Sequence, residues 1–314
     1  MSKTLYLKLH RWVALAFALP MLVVILTGLV LSVEPALKAT TPDGTVTLER
    51  LEAIIAAAGP AGRNGTLAIQ GYAGTASLGA RGSAITYDLA TALPVEPAAL
   101  PGLFRALRGV HEHLVFDMGW LVIASTAALV ALAPLGLLLG WPKLRNSIGG
   151  WHRMGGWVLL PLLVGSPLTG LALAFGITFA TPVPPPAGPL PPLVETVRQV
   201  AARHDLDGLD MIRAMGGGRL VRVLDEGGTA IAYRAGPEGL VAQPGNWPRL
   251  LHEGNWGGVL GSLANLVTSV ALVGLLGTGI WLWARRNLAQ RRARAARGGA
   301  PRRRATPSAG HPAG

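Results

Sequence analysis

Four histidines at the ends of apolar segments are the residues best suited to chemistry in this sequence. A neutral imidazole offers one nitrogen lone pair, and two histidines on facing helices of a bundle can hold a haem iron between them. The chain has no cysteine, which excludes thiolate-ligated iron–sulfur clusters and structural disulfides. The four residues are His10, His111, His152 and His252.

The four histidines belong to two copies of one pattern. His10 and His152 lie 142 residues apart, and each is followed by arginine and a long apolar run. His111 and His252 lie 141 residues apart, and each is followed by glutamate and precedes another apolar run. Two further matches have the same offset to within one residue. Thr27-Gly28-Leu29 corresponds to Thr169-Gly170-Leu171, and Gly136 corresponds to Gly277. This repetition predicts a tandem duplication, in which each histidine pair takes one member from each half.

Composition indicates a membrane protein. Half of the 314 residues are apolar, only 14% are charged, and four stretches are long enough to cross a bilayer. We therefore predict a membrane α-helical fold, a four-span bundle with two small α+β periplasmic lobes. The predicted segments are a first span at 1–33, lobe 1 at 34–115, a second span at 116–141, a cytoplasmic loop at 142–153, a third span at 154–180, lobe 2 at 181–258, a fourth span at 259–284 and an arginine-rich cytoplasmic tail at 285–314.

The net charge of +12 is concentrated beside the predicted spans. Nine arginines lie between Arg285 and Arg304, and basic residues near span ends mark the cytoplasmic side. Both termini are therefore predicted to be cytoplasmic and both lobes periplasmic, with the lipid bilayer rather than nucleic acid as the partner of the positive charge. The first span could be a signal peptide, but its length and its His-Arg motif favour a retained anchor.

Each predicted lobe contains a helix and short strands. Apolar spacing predicts helices over 45–58 and 193–203, and β-type patterns predict strands over 66–70, 84–89, 220–224 and 229–234. Lobes of this size have little core of their own, so we expect the two to pack together.

Four glycines share helix faces with the histidines if the helices are continuous. Gly28 and Gly170 lie eighteen residues beyond His10 and His152, which is five whole turns. Gly136 and Gly277 lie twenty-five residues beyond His111 and His252, which returns to nearly the same face. These glycines could form notches against which a macrocycle lies, and ordinary close packing of membrane helices is the alternative.

Several neighbouring side chains have more than one interpretation. His113 competes with His111 as the ligand, although the duplication offset favours His111. Arg11 and Arg153 could pair with haem propionates or simply reflect the positive-inside bias. Trp247 and Trp256 could contact substrate or belong to the interfacial aromatic belt.

The histidine motifs also resemble a known family. They comprise Leu9-His10-Arg11-Trp12, Trp151-His152-Arg153, Val110-His111-Glu112-His113-Leu114 and Leu251-His252-Glu253-Gly254. Together with the two Thr-Gly-Leu triplets, they resemble the PepSY-associated transmembrane family over residues 3 to about 286, with the outer lobes similar to PepSY domains. The resemblance implies a bacterial inner-membrane protein tied to siderophore iron uptake, with two haem b groups per chain and ferric siderophore reductase activity.

On this interpretation, electrons cross the membrane from the His10–His152 level to the His111–His252 level. No glycine-rich dinucleotide motif is present, so a membrane quinol or a cytoplasmic flavoprotein would be the donor. A ferric siderophore, free or on a periplasmic carrier, would be the acceptor.

Two alternatives to electron transfer remain open. One is a metal-binding or transport accessory protein with an outward His/Glu site. The other is a non-catalytic, membrane-anchored PepSY binding module.

Overall fold

Apolar helices and a single β-sheet make up the fold, as seen in a computed structural model. It describes residues 2–60, 65–80, 82–143, 145–181, 183–184, 186, 188–215 and 217–298. The predicted arginine-rich tail is described only to residue 298, where it is still helical, and its remainder lies outside the described residues. The helices are α1 (Lys3–Ala16), α2 (Ala18–Leu31), α3 (Glu34–Lys38), α4 (Leu48–Ala57), α5 (Ala99–His113), α6 (Gly119–Leu137), α7 (Ile148–Val158), α8 (Leu160–Ala174), α9 (Leu193–Ala201), α10 (Trp247–Glu253) and α11 (Val259–Gly298).

Three helical segments of the described chain are long and apolar enough to cross a membrane, namely Ala18–Lys38, Gly119–Leu137 and Val259–Ala295. A fourth crossing results if α7 and α8, bent by 64° at their junction, count as one span. Pro161 lies just after that junction, and its ring nitrogen cannot donate the helical hydrogen bond. A similar break at Phe17 separates α1 from α2, shortly before Pro20.

The apolar helices pack into one bundle. A buried cluster takes Met21 and Ile25 from α2, Ala128 from α6, Leu163 from α8 and Leu272 from α11. Because every long apolar helix contributes to this cluster, side chains from all parts of the bundle face a shared interior.

The helices that carry His111 and His252 end before the apolar spans that follow them begin. Helix α5 ends at His113, after which Leu114, Phe116 and Asp117 have φ angles of 53°, 65° and 55°. Helix α10 ends at Glu253, where Gly254 has a φ of 78°. Such left-handed backbone ends a helix. The expectation of continuous helices is therefore wrong here, and His111 and His252 lie on short helices outside the candidate spans.

One antiparallel sheet combines strands from both long loops. Its strands are β1 (Thr66–Gln70), β2 (Thr75–Gly79), β3 (Ile85–Asp88), β4 (Pro94–Val95), β5 (Leu209–Met215), β6 (Gly218–Leu224), β7 (Ala230–Gly236) and β8 (Gly239–Ala242). Their order is β4-β3-β2-β1-β5-β6-β7-β8. The two loops meet where β1 pairs with β5, through Leu67 opposite Ile212. The strands of the two predicted lobes therefore form one shared sheet.

Helices α4 and α9 cover one face of this sheet. Alternation along β1 directs Leu67 and Ile69 inward, where they meet Leu51 and Ile54 of α4 and Val197 of α9 in one buried cluster. Residues from both loops share this cluster, so the two loops form a single hydrophobic core. We call the sheet with α4 and α9 the sheet domain.

Candidate functional site

The structure brings the four histidines together as two facing pairs. The ring centroids of His10 on α1 and His152 on α7 lie 6.5 Å apart, with the rings perpendicular. Those of His111 on α5 and His252 on α10 lie 6.0 Å apart, with the rings tilted by 47°. We call these the 10/152 pair and the 111/252 pair. The pairing is the one that the sequence offsets predict.

The spacing within each pair suits a metal ion between the rings. Two imidazoles on opposite sides of one ion, each bound at about 2.0–2.1 Å, place their ring centroids about 6.3 Å apart. The observed distances of 6.5 and 6.0 Å lie on either side of that value. All four histidines are partly buried. The residues present therefore fit a haem iron with two axial imidazoles.

Hydrogen bonds define the tautomer of the 111/252 pair. Nδ1 of His111 lies 3.0 Å from the carbonyl oxygen of Val24, and Nδ1 of His252 lies 3.0 Å from that of Ser166. A carbonyl oxygen only accepts, so Nδ1 must carry the hydrogen and donate it. In each neutral ring the lone pair is then on Nε2, as axial ligation requires.

The same logic applies to His152. Its Nδ1 lies 2.8 Å from Oγ1 of Thr278. That hydroxyl already donates to the carbonyl oxygens of Gly274 and Leu275, so its oxygen accepts from Nδ1. His10 differs, because its buried Nδ1 faces the Leu132 carbonyl without a hydrogen bond of standard geometry.

Glycines lie against the imidazole rings, but not all of those predicted. A Cβ at Gly28 would lie 3.1 Å from Cε1 of His111, and one at Gly170 would lie 2.9 Å from Cε1 of His252. A Cβ at Gly136 would lie 3.8 Å from Cε1 of His10. Gly277 has no such neighbour within 4 Å, and the corresponding contact with His152 belongs to Gly279. Each glycine thus receives a histidine from another helix.

His113, one of the three histidines of the outward metal site suggested as an alternative, lies apart from the 111/252 pair. His113 is half-exposed, 3.7 Å from Glu112 and 3.5 Å from Asp117, whereas His111 turns away from it toward His252. In the described part of the chain, no group of three or more His, Cys, Asp or Glu side chains is arranged to hold a metal ion. The geometry therefore favours His111 over His113 as the partner of His252.

The arginines that follow the 10/152 pair have local contacts. The Arg11 guanidinium lies 5.8 Å from the ring centroid of Trp12, and its buried Nε has no hydrogen-bond partner among the described residues. The exposed Arg153 donates from Nε to the carbonyl oxygen of Gly149. Trp247 is exposed at the start of α10, and Trp256 forms a backbone bridge with Thr229.

A buried ionic cluster joins the sheet domain to the 111/252 pair. Asp210 is paired with Arg222 and with Lys38, whose Nζ lies 2.9 Å away. Arg222 also reaches Glu253, the residue after His252, at 3.5 Å. Burial alone would raise the pKa of Asp210, but Arg222 and Lys38 outweigh it and hold that pKa well below its usual range.

A β-bulge puts Asp210 in this cluster. The register between β5 and β6 shifts between Leu209 and Met211, so Leu209 and Ile212 both face the core while Asp210 turns to the other face. On the His111 side, Arg108 pairs with Glu34 of α3. Because Arg108 lies one turn before His111 on α5, ion pairs anchor both helices that carry the 111/252 pair.

Comparison with family models gives one match over this architecture. The model for the PepSY-associated TM region matches residues 7–286, a range that includes all four histidines. The chain belongs to this family. The predicted resemblance is therefore confirmed. A search of curated proteins finds no match.

Sequence reasoning missed two site residues of this PepSY-associated chain. Thr278 and Gly279 contact His152 in the same way that Thr27 and Gly28 contact His111. The detectable pattern is a third Thr-Gly dipeptide followed by an apolar residue, Thr278-Gly279-Ile280. The repeat pattern did not reveal it, because the glycine that faces His10 is preceded by leucine, as Leu135-Gly136.

Proposed function

We propose that this PepSY-associated protein is a dihaem b oxidoreductase that passes electrons across the bacterial inner membrane to a periplasmic ferric siderophore. The observation that carries the proposal is the spacing of two histidine pairs, 6.5 and 6.0 Å between ring centroids, against about 6.3 Å for two imidazoles on one iron. The hydrogen-bonded Nδ1 atoms, which leave Nε2 free on three of the four rings, support the same assignment.

The separation of the pairs suits transfer across a bilayer. Gly28, which contacts His111, lies eighteen residues after His10, and Gly170, which contacts His252, lies eighteen after His152. At 1.5 Å per residue, eighteen helical residues span at most about 27 Å, and the 64° bend between α7 and α8 shortens the distance in the second half. The hydrocarbon core of a bilayer is about 30 Å thick. One pair would thus lie near each membrane face.

Each pair would hold one haem b through the Nε2 atoms of its two histidines. Bound haem iron supplies one-electron transfer by cycling between its ferric and ferrous states. The protein's own task is to fix the rings, which the Nδ1 hydrogen bonds do, and to keep the surroundings apolar. Arg11 and Arg153 are close enough in sequence to the 10/152 pair to neutralise propionates there.

The distribution of charge supports a direction of transfer. The arginines of α11 and the basic residues of α1 would lie in the cytoplasm, with the sheet domain in the periplasm. A membrane quinol or a cytoplasmic flavoprotein would supply electrons at the 10/152 pair. Oxidation of one quinol releases two electrons and two protons, and the two electrons would reduce two ferric ions to ferrous ions beyond the 111/252 pair. The weaker ferrous complex would then release its iron.

Optical spectra of the detergent-purified protein, taken oxidised and dithionite-reduced, test the proposal. We expect a low-spin b-type spectrum with two haems per chain. His152→Ala and His252→Ala should each retain about one. The matched control is His113→Ala, which removes an exposed histidine two positions from His111 and should retain two. A colourless protein, expressed with ample haem, would overturn the proposal in favour of the accessory or binding-module alternatives.

Proteoliposomes test the reaction itself. Vesicles containing the protein would receive a reduced short-chain quinone on the side of the basic tail. A ferric hydroxamate chelate and a chromogenic ferrous-iron trap would be added on the side of the sheet domain. We expect ferrous iron at two ions per quinol oxidised, and none with His252→Ala. Wild-type vesicles with two haems per chain and no ferrous iron would contradict the assignment of the substrate.

A further inference from the structure

Three threonines stand in the same relationship to a histidine. Oγ1 of Thr27, Thr169 and Thr278 lies 3.0, 3.3 and 2.8 Å from Nδ1 of His111, His252 and His152 respectively. Each hydroxyl donates to carbonyl oxygens three and four residues earlier in its own helix. The hydroxyl hydrogen is therefore in use, and the oxygen can accept from Nδ1, whose own hydrogen is shared with a helix carbonyl in the 111/252 pair. The glycine after each threonine lies against Cε1 of the same ring.

The fourth position of this pattern lacks the threonine. Gly136 faces Cε1 of His10, but the residue before it is Leu135. The leucine side chain cannot accept a hydrogen bond. Nδ1 of His10 is buried without a partner of standard geometry in the described chain. Of the four histidines, His10 alone lacks this side-chain support.

We propose that Thr27, Thr169 and Thr278 are positioning residues for their histidines, and that Leu135 makes His10 the most easily displaced ligand, so that the reduced 10/152 site binds small neutral ligands such as carbon monoxide. This inference rests on the proposed function. The observation that carries it is the contrast between the Thr278 contact with His152 and the Leu135 position beside His10, within a single site.

The physical basis of this inference is the hydrogen bond made by Nδ1, the ring nitrogen that does not bind the metal. An acceptor at Nδ1–H fixes the plane of the imidazole and raises the basicity of Nε2. At His10 only the Leu132 carbonyl faces Nδ1, without standard hydrogen-bond geometry, so the ring is held less firmly and its bond to iron would be weaker. Carbon monoxide would then replace the Nε2 atom of His10 on ferrous iron, and the imidazole would leave as a neutral group with no change in oxidation state.

Carbon monoxide difference spectra of the dithionite-reduced full-length protein test this inference, with the midpoint potential of each haem as a second readout. We expect wild-type protein to bind carbon monoxide at one haem per chain, and binding at neither haem or at both would overturn the inference. Leu135→Thr, which installs the missing acceptor, should slow binding about fivefold, the effect of one net hydrogen bond. It should also lower the potential of the 10/152 site, because a more basic ligand favours ferric iron.

Three further variants complete the test. Thr278→Val should raise that potential and speed carbon monoxide binding about fivefold, and Thr278→Ser should restore both. Thr268→Val is the matched control, because Thr268 is a buried threonine of the same helix whose hydroxyl donates to the Ala264 carbonyl and contacts no histidine in the described chain. It should change neither readout.

The outcomes separate this inference from the proposed function. Protein that holds no haem would overturn the proposed function. Protein that holds two haems, but whose carbon monoxide binding and potentials are the same in wild type, Leu135→Thr and Thr278→Val, would overturn only the role of the threonines. Equal changes with Thr268→Val would assign the effect to general loosening of α11, and would equally overturn it.

Discussion

The imidazole of His252 lies directly against the backbone of Gly170. A Cβ at position 170 would lie 2.9 Å from Cε1 and 3.4 Å from Nδ1 of that ring. Nδ1 of the same ring lies 3.0 Å from the Ser166 carbonyl oxygen. A ring displaced by a new methyl group at position 170 would strain or lose this hydrogen bond.

We expect Gly170→Ala to remove the haem of the 111/252 pair, because the displaced His252 can no longer face His111. Absorbance and haem stoichiometry of the purified variant should show about one haem per chain. Gly277→Ala is the matched control, since it adds the same methyl group to a transmembrane helix where no contact lies within 4 Å. Two haems and an unchanged spectrum in Gly170→Ala would argue against the site geometry.

The identity of the histidine pairs was predictable from sequence, but the helix faces were not. Equal offsets and the residues following each histidine were enough to pair His10 with His152 and His111 with His252. Helix arithmetic failed for Gly136 and Gly277 because α5 and α10 end before the spans begin. Leucine and phenylalanine rarely adopt positive φ angles, so Leu114 and Phe116 give little warning of that break.

The sheet illustrates a second limit. The predicted strands at 66–70 and 220–224 match β1 and β6, because β-branched and leucine residues alternate there. Strand β2 has the sequence Thr-Ala-Ser-Leu-Gly, whose small residues carry no strand preference, and β5 contains the bulge at Asp210. Pairing of β1 with β5 joins residues over 140 positions apart, and no local pattern encodes it.

Removing the charge of Asp210 should destabilise the protein. In Asp210→Asn, the buried guanidinium of Arg222 and the ammonium of Lys38 lose their shared carboxylate. Breaking a buried ion pair from one side costs about 3–5 kcal/mol. Thermal unfolding in detergent, followed by tryptophan fluorescence, should show a clearly lower midpoint. Glu238→Gln, at an exposed turn, is the control and should match wild type. Equal midpoints for both variants would refute a stabilising role for the cluster.

The same carboxylate predicts how stability depends on pH. The folded-state pKa of Asp210 lies well below the ordinary value of about 3.9, because Arg222 and Lys38 outweigh the effect of burial. Because the pKa of Asp210 is lower in the folded than in the unfolded state, its carboxylate stabilises the fold at pH values above the unfolded-state pKa. This contribution is lost as the pH falls below about 4 toward the folded-state pKa. Unfolding midpoints measured from pH 7 to pH 3 should therefore fall less steeply in Asp210→Asn than in wild type. Parallel pH profiles would contradict this assignment.

Truncation of Ile212 should loosen both halves of the sheet domain together. Ile212 is fully buried on β5 and lies opposite Leu67 of β1, where the two loops meet. Ile212→Ala leaves a cavity in the core that both loops share, at a cost of about 2–5 kcal/mol. Hydrogen exchange followed by mass spectrometry should show faster exchange in β1 and β2 as well as in β5 and β6. Val241→Ala removes methyl groups from an exposed position on the edge strand β8 and should leave exchange in β1 unchanged. Faster exchange confined to β5 and β6 in Ile212→Ala would mean that the two loops fold independently, and would contradict the shared core.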